Sequence, residues 1–70
     1  MNKLIFILEA DYIELNKLLK MLGLVESGGQ ANQLIKEGKV VFNGEIDTRK
    51  RLKLRKGDKI IFSETQIKIN

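Results

Sequence analysis

The stretch from residue 27 to residue 44, SGGQANQLIKEGKVVFNG, most constrains the fold of this chain because it joins a helix directly to a hairpin. Ser27 is a typical N-cap residue, and Gln30 follows three positions later, as in a capping box. Gly38 is expected to end the helix, and Asn43-Gly44 is the dipeptide preferred in type I′ hairpin turns. The stretch therefore predicts a short helix fixed against an antiparallel hairpin.

The residues before this stretch predict a strand and another helix. Residues 3–8, KLIFIL, are rich in β-favouring side chains and have no helical spacing, so we expect a buried strand there. Asp11 is expected to cap the first helix, with Glu14 completing a capping box, and Gly23 is expected to end it. Apolar side chains at i, i+3, i+4 and i+7 give this helix one packing face, made of Leu15, Leu18, Leu19 and Leu22.

The strand that returns from the hairpin turn carries most of the basic side chains. If residues 45–55, EIDTRKRLKLR, were extended, Ile46, Leu52 and Leu54 would share the core face and the basic side chains would alternate with them. Polar residues interrupt that core face, so we expect a bend or loop near residues 47–51.

Two more strands are expected at the end of the chain, separated by a turn at residues 63–65. Alternating apolar side chains mark them, with Phe62 in the first and Ile69 in the second. We expect Phe6, Phe42 and Phe62 in the core, and the aromatic residues, including Tyr12, lack the spacing of a base-stacking platform. The sequence thus predicts an α+β fold, with two packed helices against a small, mainly antiparallel sheet that includes the first and last strands.

The composition disfavours several classes of function. The 70 residues include no cysteine and no histidine, so thiolate chemistry, the commonest zinc ligand and the usual general base are all missing. We predict no catalytic site, no cofactor, no metal and no small-molecule substrate. The apolar run at residues 4–8 is far shorter than the roughly 20 residues that span a bilayer, so we expect no membrane partner and a cytoplasmic location.

Positive charge is concentrated in the second half of the chain. The formal net charge is +4, with three basic and four acidic side chains in residues 1–35 and ten basic and five acidic in residues 36–70. The densest basic cluster, Arg49 to Lys56, is typical of an anion-binding surface such as one for nucleic acid. The same cluster is also compatible with a solvated strand edge that discourages aggregation. The amides of Ser27 to Gly29 could hold a phosphate or simply begin a helix.

The order of these elements resembles a known family. The segment LNKLLKMLGLVESGGQANQLIKEGKVVFNGEI, followed later by GDKIIF, is similar to the S-four RNA-binding domain, a helix-helix-hairpin module also called the alpha-L motif. The resemblance covers about residues 12–62 of what we expect to be a single domain over residues 1–70. The chain most resembles the small stand-alone bacterial members, of the YbcJ/YaaA type.

The resemblance implies non-catalytic binding of structured RNA, with ribosomal or transfer RNA as the expected ligand, on a basic surface beside the second helix and the hairpin. The ribosome or a ribosomal precursor is the implied larger partner. Many family members have arginine after the serine that begins the second helix, where this chain has Gly28, and another basic position is Asn32 here. We therefore expect the basic run at residues 49–53 to make most of the phosphate contacts.

The predicted RNA-binding residues are Lys17, Lys20, Ser27, Gly28, Gly29, Gln30, Gln33, Lys36, Lys39, Asn43, Thr48, Arg49, Lys50, Arg51 and Lys53. The alternative is a protein-interaction module that docks an acidic, ribosome-associated partner.

Overall fold

Two helices pack against a five-stranded sheet in the computed structural model, which describes all 70 residues. The elements in chain order are β1 (Asn2–Phe6), β2 (Ile13–Glu14), α1 (Leu15–Met21), α2 (Gly28–Lys36), β3 (Val40–Phe42), β4 (Glu45–Ile46), β5 (Lys53–Leu54), β6 (Lys59–Phe62) and β7 (Thr65–Ile69). The large sheet has the strand order β1-β7-β6-β3-β4, and β2 pairs with β5 in a separate two-stranded ribbon. Only β1 and β7 run parallel, so the predicted α+β fold with a mainly antiparallel sheet is confirmed.

The core lies where one face of the sheet meets the two helices. Leu18 of α1 and Ile35 of α2 are fully buried in one cluster with Ile60 and Ile67, which are directly opposite each other in β6 and β7. Strand alternation sends Lys59 and Lys68, also directly opposite each other, to the uncovered face of the sheet. Phe62 is buried, whereas Phe6 and Phe42 pack against the core and stay partly exposed.

Both helices end as the sequence predicts. The Gly23 amide donates to the Lys20 carbonyl and the Leu24 amide to the Leu19 carbonyl, which is the hydrogen-bond pattern of a Schellman motif. Gly38 and the residue after it repeat this pattern at the end of α2. The hairpin turn is also confirmed, because Asn43 and Gly44 have φ of 47° and 92°.

The prediction of a buried first strand is wrong. β1 is an edge strand of the sheet, and the side chains of Leu4, Ile5 and Ile7 are 38%, 64% and 63% exposed. Only Leu8, which lies beyond the end of the strand, is buried. Composition identified a strand correctly, but the place of a strand in its sheet depends on pairing with a segment about 60 residues away.

The predicted start of the first helix is also wrong. Asp11 does not cap it, because residues 13 and 14 are extended in β2 and the helix begins at Leu15. Glu14 occupies the N-cap position but makes no side-chain cap hydrogen bond. Instead, the amides of Leu15 and Asn16 donate to the carbonyls of Leu52 and Lys50, at 2.9 and 3.1 Å. Hydrogen bonds to the backbone carbonyls of a distant segment therefore take the place of a local side-chain cap.

Residues 45–55 do not form one continuous strand, so the expectation that Ile46, Leu52 and Leu54 share a core face is wrong. The expected loop separates β4, which pairs with β3, from β5, which pairs with β2. Leu52 and Leu54 are buried, whereas Ile46 is 66% exposed on an edge of the large sheet. The two halves of the segment therefore belong to different sheets and share no face.

Candidate nucleic-acid interface

The start of α2 leaves three backbone amides free of hydrogen bonds within the chain. The Ser27 hydroxyl accepts a hydrogen bond from the Gln30 amide at 3.1 Å, and the Gln30 side-chain oxygen accepts one from the Glu26 amide at 2.6 Å. The N–H groups of Ser27, Gly28 and Gly29 donate no hydrogen bond within the chain. Ser27 is confirmed as the N-cap, whereas the Gln30 side chain accepts from the Glu26 amide and not from the Ser27 amide that a capping box would use. The amides of Ser27, Gly28 and Gly29 are therefore the donors open to a ligand.

The polar face of α2 and the loop after β4 form the two sides of a groove of about 490 Å³. No acidic or apolar side chain lines it. The lining residues are Gly29, Asn32, Gln33, Lys36, Thr48, Arg49 and Lys50. All except Asn32 are predicted RNA-binding residues, so the fold brings two separate segments of that prediction together.

Two asparagines tie this groove to the rest of the molecule. The Asn16 side-chain amide donates to the Asn32 side-chain oxygen at 3.0 Å, which links α1 to α2. The Asn16 backbone amide also holds the carbonyl of Lys50. Asn32 was missed as a groove residue, and the signal in the sequence is an asparagine, a poor helix former, in the interior of α2.

Arg49 carries a partly neutralised charge in the groove. Its Nη2 and Nε atoms donate to the Asp47 carboxylate at 2.7 and 3.0 Å, and its backbone amide donates to the same carboxylate at 2.9 Å. The side-chain hydrogen bond from Arg49 is the main cause that lowers the pKa of Asp47, and the pKa of Arg49 is raised in return. The Arg49 guanidinium is thus held in one orientation by Asp47, and its Nη1 atom takes no part in this ion pair.

The residues after Arg49 carry unpaired charge. Lys50, Arg51 and Lys53 line a second depression beside the groove, together with Arg49 and Leu52. None of these three cations has a carboxylate partner, since the ion pairs of the chain are Arg49 with Asp47 and Lys17 with Glu14. The groove and the depression share Arg49 and Lys50, so they form one continuous basic surface.

Seven predicted site residues line neither the groove nor the depression: Ser27, Gly28 and Gln30 at the start of α2, and Lys17, Lys20, Lys39 and Asn43 elsewhere. Lys17 pairs with Glu14 at 3.4 Å, and neither Lys20 nor Lys39 lines the groove or the depression. The Asn43 side chain donates to the Asp58 carboxylate at 3.1 Å and accepts from the Lys59 amide at 2.9 Å. Asn43 therefore fastens the hairpin turn to the turn before β6.

Two other classes of feature are missing from the molecule. No three side chains of the histidine, cysteine, aspartate or glutamate types come together as a candidate metal site. None of the helices combines the length and the apolar character needed to cross a bilayer.

Known proteins are similar to this chain in sequence and in fold. The chain is 40% identical over 58 residues to "Putative RNA-binding protein YbcJ" of Escherichia coli (strain K12), a match that covers 83% of each chain. It is 35% identical over 51 residues to "Probable ribosome maturation protein RlbA" of Bacillus subtilis (strain 168), covering 73% of this chain and 72% of that one.

The solution structure of E. coli YbcJ, described as revealing an alfaL motif involved in RNA-binding, has a similar fold. It matches with a TM-score of 0.70 and 38% identity, over 93% of this chain and 84% of that one. The family model described as the S4 domain matches residues 6–70, which include both helices, the hairpin and the basic loop. The chain therefore belongs to the S4 domain family, as its helix-helix-hairpin pattern predicts.

Proposed function

We propose that this protein binds structured RNA, with ribosomal or transfer RNA as the expected ligand, on the surface formed by the α2 groove and the basic loop. The observation that carries the proposal is the groove itself, in which Lys36 from α2 and Lys50 from the loop lie beside the free Gly29 amide with no acidic residue among them. Relatives named for RNA binding and for ribosome maturation support the same class of ligand.

Phosphate contacts would provide most of the binding free energy. The free amides at the start of α2 lie where the helix dipole is positive, which favours an anion. Lys36, Lys50 and Arg51 would neutralise neighbouring phosphates, and the guanidinium of Arg49, oriented by Asp47, would donate to another. Recognition would depend on the shape and spacing of the backbone, because side chains cannot reach the bases in the deep major groove of A-form RNA.

The proposed activity is binding without catalysis and needs no cofactor or metal. We place it in the cytoplasm, on a ribosomal RNA, a transfer RNA or a ribosomal precursor. The alternative partner, an acidic ribosome-associated protein, would use the same unpaired cations and is separated from RNA by the measurement below.

The test is the salt dependence of binding to a labelled RNA hairpin, followed by fluorescence anisotropy. If about four to six phosphates are neutralised, log affinity should fall against log salt with a slope of about −3 to −5. The double substitution Lys36→Ala and Lys50→Ala should weaken binding and make the slope shallower by about 1.5 to 2.

The matched control removes the same number of lysines from the opposite side of the molecule. Lys59→Ala with Lys68→Ala changes the net charge equally, but both side chains lie on the uncovered face of the sheet. This variant should keep the wild-type slope within error. A flat salt response, or equal losses in the two double variants, would contradict the proposed surface, and an absence of RNA binding at low salt would favour the acidic protein partner.

A further inference from the structure

The β2–β5 ribbon turns an aromatic ring outward beside the basic loop. Ile13 lies opposite Leu54 in this ribbon; Leu54 is fully buried and Ile13 packs against the core. Because side chains alternate along strands, the residues on either side of this pair point away from the core. Tyr12 and Arg55 are therefore turned to solvent, as is Lys53.

Two cations flank the Tyr12 ring. The Nζ atom of Lys53 lies 4.8 Å from the ring centroid, and the Cζ atom of Arg55 lies 5.7 Å from it. Arg55 is also anchored, since its Nη1 donates to the Asp11 carbonyl at 3.4 Å. An exposed ring with two cations close to its centroid combines a stacking surface with positive charge, and a nucleotide offers the matching base and phosphate.

Tyr12 differs from every other aromatic residue of the chain. It is the only tyrosine, there is no tryptophan, and the three phenylalanines are buried or packed against the core. Tyr12 is 40% exposed and contacts cations instead. The aromatic residues are not spaced as a platform along the sequence, so this site is visible only once β2 pairs with β5.

The ring also continues the proposed path of RNA. Lys53 lines the depression that contains Arg49, Lys50 and Arg51, and this depression meets the α2 groove. RNA whose phosphates follow these cations would bring a nucleotide to Tyr12 at the end of the path. A base inside a double helix is covered on both faces by its stacked neighbours, so a base that stacks on Tyr12 along this path must be unpaired.

We propose that Tyr12, together with Lys53 and Arg55, is a stacking site for one unpaired nucleobase next to an RNA stem. The inference rests on the proposed RNA binding and adds a preference for stems that carry a bulge or a single-stranded end. Tyr12 would hold the base by stacking, while the two cations contact the flanking phosphates.

The experiment compares three RNA probes of the same stem: a blunt duplex, the duplex with a two-nucleotide overhang, and the duplex with a one-nucleotide bulge. Wild-type protein should bind at least one probe with an unpaired base about five-fold or more tighter than the blunt duplex. Tyr12→Leu should remove this preference and leave affinity for the blunt duplex unchanged, whereas Tyr12→Phe should retain it. Urea denaturation of each variant establishes that the fold is intact.

A direct readout comes from 3-fluorotyrosine, because a single tyrosine gives a single ¹⁹F signal. The signal should shift with the preferred probe and stay in place with the blunt duplex. Equal affinities for all three probes, or a preference that Tyr12→Leu retains, would overturn the stacking site. Salt-dependent duplex binding would then still support the proposed function, whereas failure to bind any probe would overturn both proposals.

Discussion

The two helices of this protein begin in opposite ways. α2 is capped by its own sequence, because the Ser27 hydroxyl accepts a hydrogen bond from an amide three residues later. α1 has no side-chain cap, and its first amides are held by carbonyls of Lys50 and Leu52, more than 30 residues away. One start is encoded locally, whereas the other exists only when the chain has folded back on itself.

The candidate interface accordingly has one part that is encoded locally and another that distant contacts hold in place. The locally encoded unit, residues 27–44, supplies a helix and three free amides. The distant contact positions the basic loop, because the carbonyls that hold α1 belong to the same residues, 50–52, that carry the loop past the groove. The hydrogen bonds that start α1 therefore also hold the basic loop in place. A substitution in the β2–β5 ribbon should lower the stability of the fold more than a substitution at the Ser27 cap.

The largest effect is expected from Leu54→Ala. Leu54 is fully buried opposite Ile13, so its truncation should lower the free energy of unfolding by about 2–5 kcal/mol. Domains of this size have about 4–10 kcal/mol in total. Urea denaturation followed by circular dichroism measures the loss. Ile46→Ala, which removes an exposed side chain, is the control and should cost less than about 0.5 kcal/mol. Similar losses in the two variants would argue against a ribbon packed into the core.

A smaller effect is expected from the two cap positions. Ser27→Ala should destabilise the protein by about 1 kcal/mol, because the Gln30 amide loses its acceptor. Glu14→Ala should cost no more than about 0.5 kcal/mol, since Glu14 makes no cap hydrogen bond and only an ion pair with the exposed Lys17. The same denaturation experiment compares them. An equal or larger loss for Glu14→Ala would mean that α1 also depends on a local cap.

The smallest effect is expected from the ion pair of Asp47 with Arg49, at the boundary between the two regions. The pKa of Asp47 is lowered in the folded protein, so the pair stabilises the fold above the ordinary carboxyl pKa and this contribution is lost as pH falls through the lowered value. The difference in unfolding free energy between wild type and Asp47→Asn should therefore shrink on acidification from neutral pH. Arg49→Gln should remove the larger share of this pH dependence, because the Arg49 side chain is the main cause of the lowered pKa while the backbone amide of residue 49 still donates to Asp47. A difference independent of pH would contradict the assignment.

Most residues that line the candidate groove were predicted from the sequence, but their arrangement was not. Lys36, Arg49 and Lys50 follow from charge and from the family resemblance, and the groove brings them together. The contact of Asn32 with Asn16, and the two cations beside Tyr12, join segments that no local pattern connects. No role was predicted for Asp47, whereas the fold makes it the partner that orients Arg49.

The sequence by itself determined the helix ends at Gly23 and Gly38, the cap at Ser27 and the turn at Asn43-Gly44. Each of these depends on hydrogen bonds or φ angles within a few residues, so the local residues suffice. The tertiary structure alone decided where α1 starts, that β1 is an exposed edge, and that the basic loop reaches both the α2 groove and Tyr12. Those features depend on backbone pairing between distant segments, and which segments pair is settled only when the whole core is buried.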